Sequence, residues 1–292
     1  MDWIFLTLLA TILAASSNVF VKFILDKEIK DPIFYLLFNL VFLTPFYIIF
    51  LFLFTQITFS FFSLIPVLAG ILFYISAYLF YEAIRIDEVS RVVPLVYTST
   101  VFTMILSTIF LGEFFTFSKY VGIFLVFSGA FLISFEKSLK IRRGAYLTLI
   151  SAFIVGIYNI LFKYSLNFMN YTNAFFWGTL IGFSLIQIPI LFKYNKKFFK
   201  MTKKLKKRIF IFLIAFGLIF IISRILFLSA MSLAPVALFS AVGASRPLFV
   251  LIFTIILSLF FPHIIKENLK KSLILLKIGA SILIIVGIFL IA

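Results

Sequence analysis

The chain has 292 residues, of which 64% are hydrophobic and only 12% charged, with 44 phenylalanines and a net charge of +16. Soluble proteins carry roughly a quarter charged residues, so this composition excludes a soluble globular domain and leaves a polytopic, all-α integral membrane protein. The absence of cysteine and the single histidine, His263 beside Pro262, exclude a disulfide framework and a conventional transition-metal site, and no cofactor is expected.

Ten apolar segments follow one another, at about 3–25, 33–54, 62–84, 89–111, 117–135, 144–166, 171–192, 209–230, 235–260 and 272–291. Each is close to the roughly 20 apolar residues that a helix needs to cross the hydrocarbon core. Ala14-Ala15-Ser16 has the look of a cleavage site, but the first segment lacks a basic leader, carries Asp2 and runs on to Lys22. It reads as a true span. Only two connections hold charge runs, Glu136 to Arg143 and Lys193 to Arg208.

The charges orient the chain. Loops after odd-numbered segments hold Lys27, Lys30, Arg85, Arg91, the cations from Lys137 to Arg143, nine more from Lys193 to Arg208, and Lys266, Lys270 and Lys271; the other side holds Lys119 and little else. Lysine and arginine gather in cytoplasmic loops. The expectation is a multi-pass protein of the cell membrane with both termini extracytoplasmic.

An internal repeat organises the segments. A shift of 141 residues lays Leu6-Thr7-Leu8 on Leu147-Thr148-Leu149, Asn18 on Asn159 and Lys22 on Lys163. A shift of 147 lays Ser76 on Ser223, Ala83 on Ala230 and Val89 on Val236. The expected domains are a first five-helix repeat over 1–136, a basic linker over 137–143 and a second five-helix repeat over 144–292. Five spans are an odd number, so the second copy runs through the bilayer in the opposite sense. Inverted repeats are a usual construction of secondary transporters, with substrate held near the midplane.

The run from Tyr81 to Pro94, the later Leu111-Gly112-Glu113, and Gly122 and Gly129 in the fifth segment resemble the EamA-like family of the drug/metabolite transporter superfamily. The second half departs, with Phe261-Pro262-His263 where Gly-Glu belongs and Ala241 opposite Pro94. The resemblance implies a carrier of small metabolites and leaves the substrate open.

Ionisable groups inside spans cost about 2.5–3.5 kcal/mol each on insertion scales, so each marks a candidate site. Arg246 leads: it lies mid-segment in Gly243-Ala-Ser-Arg-Pro247, where Pro247 removes a backbone donor and loosens the helix. Arg224 lines the same site or bridges to Glu82. Lys22 and Lys163 each stand four residues after an asparagine, Asn18 and Asn159, on one helix face. Ser245, Tyr78 and Tyr97, with Tyr74 and Tyr158, add hydroxyls and aromatic walls. Four cations against one acid predict a substrate with a carboxylate or phosphate, while Glu82 is the candidate for ion coupling.

Small residues on the fifth and tenth segments (Gly122, Gly129, Gly279, Ala280, Ser281) predict either close packing of those two helices or a dimer face, in a monomer or homodimer. The basic 193–208 loop is expected to meet anionic lipid rather than nucleic acid. Two alternatives remain, a lipid-linked sugar or lipid flippase of the same fold and a membrane-embedded lipid enzyme; for the latter only Asp87-Glu88 approaches a catalytic pair. No nucleotide-binding G-x-x-x-x-G-K-[ST] occurs, so transport draws on gradients or exchange.

Overall fold

The computed structural model describes residues 2–27, 32–54, 56–87, 89–134, 143–260 and 271–292, and every regular element among them is helical. Six stretches are long and apolar enough to cross a membrane: Phe61–Ala83, Val92–Leu111, Arg143–Ser165, Tyr171–Lys204, Lys207–Leu233 and Val236–Ser258. Shorter apolar helices, Trp3–Ser17, Ile33–Ile49, Phe117–Ile133 and Leu275–Ile291, stand where the first, second, fifth and tenth segments are predicted.

In chain order, α1 spans Asp2–Lys27, and α2 (Pro32–Phe38) continues through a π-helical turn, Asn39–Leu43, into α3 (Thr44–Phe54). The Thr44 N–H reaches back five residues to the Asn39 carbonyl, just before Pro45, which has no N–H to offer. Next come α4 (Leu64–Ile86), α5 (Val89–Val96), α6 (Thr98–Leu111) and α7 (Phe117–Ser134). The second half opens with α8 (Arg143–Ser165) and α9 (Tyr171–Phe175), which passes through another π turn, Phe176–Gly182, into α10 (Phe183–Lys204). It closes with α11 (Lys207–Leu233), α12 (Val236–Gly243), α13 (Arg246–Phe260) and α14 (Lys271–Ile291).

Lipid chains are as apolar as leucine, so hydrophobicity does not drive these helices together; close packing of small residues and interhelical hydrogen bonds do. Several such bonds link the halves, two buried ones among them. Ser223 on α11 donates to the Ala10 carbonyl of α1 at 2.7 Å, and Ser151 on α8 donates to the Ser76 carbonyl of α4 at 2.8 Å. α7 lies along α14, as the glycine pattern predicts. A Cβ added at Gly129 would stand 2.6 Å from the Ala280 carbonyl oxygen, so only glycine admits this approach. Gly279 has nothing within 4 Å of its Cβ position and lies outside the contact.

One expectation needs correction. The run Lys193–Arg208 is not a loop: α10 continues to Lys204, and after Leu205 and Lys206 the chain re-enters a helix at Lys207. Lysine is a good helix former, and Leu191, Tyr194, Phe198, Met201 and Leu205 recur at helical spacing to hold this extension against α2 and α11.

Candidate substrate site at two helix breaks

Two spans are interrupted. Between α5 and α6 the chain turns at Tyr97, whose N–H reaches the Pro94 carbonyl at 3.3 Å. Between α12 and α13 it turns at Ala244 and Ser245, with the Ser245 N–H on the Val242 carbonyl at 3.1 Å. These bonds reach three residues back, a tightening of the helix. Pro247 takes away the donor that the Gly243 carbonyl would otherwise receive, while Pro94 stands inside α5 three residues before its turn. A side-chain hydroxyl braces each break: Thr98 donates to the Leu95 carbonyl at 2.6 Å, and Ser245 to the Val242 carbonyl at 2.7 Å.

Arg246 starts α13 just past the second break. Its Nε is buried and has no hydrogen-bond partner among the described residues. Tyr97, from the first break, lies within electrostatic range of it, and so does a second guanidinium, that of Arg224. Arg224 on α11 is held by aromatic groups: its Nη2 donates to the Tyr158 hydroxyl at 3.0 Å, and the guanidinium lies 5.0 Å from the centre of the Phe73 ring. Cation–π contacts contribute about 0.5–2 kcal/mol. They cancel no charge, and among the described residues none of these partners of either arginine is a carboxylate. Two cations within electrostatic range of one another therefore stand beside broken helices, an arrangement that a bound anion would neutralise.

The other predicted site residues fall elsewhere. Asn159 is buried and donates to the Thr103 hydroxyl at 3.0 Å, tying α8 to α6. Tyr78 stands on α4 half exposed, and Glu82, one turn on, is partly buried and engaged by other groups. Asn18 and Lys22 lie on α1, with side chains outside the described residues. Ser245 is fully buried, its proton committed to the backbone brace.

Lys163 has a different task from the one predicted. Its ammonium donates to the Met231 and Ala234 carbonyls at 2.8 and 2.7 Å, at the C-terminal end of α11. Across the turn, Glu113 accepts the Val236 and Ala237 N–H groups at 2.8 and 3.2 Å, at the start of α12. A cation on the carbonyl end of one helix and an anion on the amide end of the next each match the local dipole. Gly112 makes this possible. With φ of 65° it ends α6 in the left-handed region and turns the chain so that Glu113 reaches α12. The sequence marked Glu113 only as part of a family pattern, although the Gly-Glu pair after a helix was the visible signal.

Residues 1–135 match the model of the EamA-like transporter family. The first half is thus similar to EamA-like transporters, in agreement with the resemblance carried by Tyr81–Pro94 and Leu111-Gly112-Glu113, and the apolar helices support a multi-pass membrane protein. A solved crystal structure, described only as that of a protein, superposes with a TM-score of 0.73 at 12% identity, over 99% of this chain and 96% of its own. At that identity the likeness is one of fold, and it runs through both halves. No curated protein matches the chain.

Proposed function

We propose that this chain is a secondary carrier of small metabolites bearing a carboxylate or phosphate, such as amino acids or other organic acids. Transport proceeds by alternating access between two inverted five-helix repeats of ten spans. One observation carries the substrate class: the Arg246 Nε is buried without a partner, beside Arg224, at a helix break. A buried donor left without a partner is costly, and a substrate anion offsets that cost. Arg246 and Arg224 bind the anionic group, and Tyr97 and Tyr78 border its path.

The repeat reading is supported by paired features. Ser76 and Ser223 are equivalent by a shift of 147, and each sits in an inter-half hydrogen bond. The π turns Asn39–Leu43 and Phe176–Gly182 occupy the second helix of each half. The breaks at Tyr97 and Ala244 coincide under the same shift. Broken helices at corresponding positions of two halves point to the binding site. Glu113 and Lys163, both gripping the turn before α12, keep one end of the path closed. Glu82 takes the role of coupling carboxylate. The lysine and arginine distribution sets both termini outside the cell membrane.

Thermal-shift titration of purified protein with carboxylates, phosphates and organic cations tests this, because a ligand bound only by the folded state raises its melting temperature. Stabilisation by anions that disappears in Arg246→Ala is the expected result. Stabilisation by cations alone, or an anion effect untouched by Arg246→Ala, overturns it.

A further inference from the structure

The basic elbow between α10 and α11 stands apart from the transport site. From Tyr171 to Lys204 the helix is unbroken over 34 residues. At 1.5 Å per residue this is about 51 Å, against about 30 Å of hydrocarbon. The helix therefore rises into the headgroup layer, and its last three turns carry the lysines. Nine cations lie between Lys193 and Arg208, all exposed, with no acidic residue in that interval.

The elbow is not a loose tail. Phe198 is 2% exposed, its ring 5.2 Å from Phe34 on α2, and Phe38 stacks edge-on to Phe210 of α11 at 5.5 Å. With its inner face fixed, the opposite face is presented as a rigid surface. That face alternates aromatic and cationic side chains. Phe192, Lys196, Phe199 and Lys203 follow at spacings of four, three and four residues, and Phe192 and Phe199 are 74% and 49% exposed.

We propose that this elbow is a docking surface for the anionic phospholipid headgroups of the leaflet it emerges from. The lysines contact phosphates while Phe192 and Phe199 enter the acyl boundary. Charge complementarity selects an anionic partner, and two exposed phenylalanines on a helix continuous with a span select a lipid one. A soluble polyanion accounts for the lysines and leaves the phenylalanines in water.

The test uses the full chain reconstituted in nanodiscs of phosphatidylcholine containing phosphatidylglycerol, with spin-labelled lipids reporting the occupancy of the protein's boundary. Phosphatidylglycerol is expected to be enriched over phosphatidylcholine by about fivefold at low salt, with the enrichment falling as salt screens it. The triple variant Lys196→Gln, Lys200→Gln, Lys203→Gln, all at exposed positions, should lose most of that enrichment at an unchanged melting temperature. Phe199→Ser should weaken it while keeping its salt dependence. Equal enrichment in the triple variant, no enrichment in the parent, or tighter binding of a short RNA than of phosphatidylglycerol each overturns the proposal. Metabolite binding at Arg246 is measured separately, so either reading can fail without the other.

Discussion

The breaks at α5–α6 and α12–α13 share a backbone device and differ in chemistry. Shifted by 147 residues, Thr98 falls on Ser245 and Leu95 on Val242, and the hydroxyl-to-carbonyl brace recurs. The prolines do not coincide: Pro94 precedes its turn and Pro247 follows its own. Where the second break presents Arg246, the first has Ser99 at the equivalent position and offers only the neighbouring Tyr97. A shared backbone device beside unlike side chains teaches that hinge geometry belongs to the fold, whereas the proposed binding chemistry lies at one break only.

Arg246 should therefore show the largest effect. In Arg246→Ala, the loss of charge-assisted hydrogen bonds worth about 1.5–3 kcal/mol weakens anion binding by about 10–100-fold. Stability should hold or rise, because the variant removes a buried Nε that has no hydrogen-bond partner among the described residues. A structural ion pair behaves the opposite way, losing about 3–5 kcal/mol when one member is deleted. Melting temperature and affinity measured on the same variant separate the two. A large loss of stability would sink the binding role and make the two breaks merely unlike in packing.

Arg246 was legible in the sequence because its position, far from either end of an apolar segment, leaves an expensive charge with no route to water. The ten apolar segments were legible for the same reason of solvent preference. Other features were not. Glu113 reads as an ordinary loop acid until Gly112 is seen in the left-handed region, aiming it at a helix 123 sequence positions further on. Lys163 reads as a site cation, since spacing cannot show that two backbone carbonyls occupy it. The basic elbow reads as a loop because its density of charge masks the apolar stripe from Leu191 to Leu205 beneath it.

The second effect concerns the arm that carries the charged break. Glu113→Ala removes the cap from α12 and should cost about 1–2 kcal/mol, seen as a lowered melting temperature. Glu113→Gln keeps an acceptor and should cost less. Lys163→Met releases two carbonyls and should cost a similar amount, and the double variant should fall short of the sum if the pair grips one turn together. Additive losses would show that the two residues hold their helix ends independently.

A smaller effect is expected at the neutral break. Tyr97→Phe deletes one phenol hydroxyl within electrostatic range of Arg246. A neutral group contributes about 1 kcal/mol or less in such a position, so anion affinity should drop by no more than about fivefold. A loss as large as that of Arg246→Ala would place the binding chemistry in both halves and erase the asymmetry.

The smallest effect tests the shared brace. The Ser245 hydroxyl has one proton, and it is given to the Val242 carbonyl at a fully buried position. What remains are oxygen lone pairs, which repel an anion rather than bind it. Ser245→Ala should therefore cost about 0.5–1 kcal/mol of stability and change anion affinity less than about twofold. Thr98→Ala, which removes the equivalent bond to the Leu95 carbonyl, should cost about the same. Matched losses in the two variants, with affinity preserved in both, would show one hinge used twice. An affinity loss confined to Ser245→Ala would instead draw that hydroxyl into the site beside Arg246.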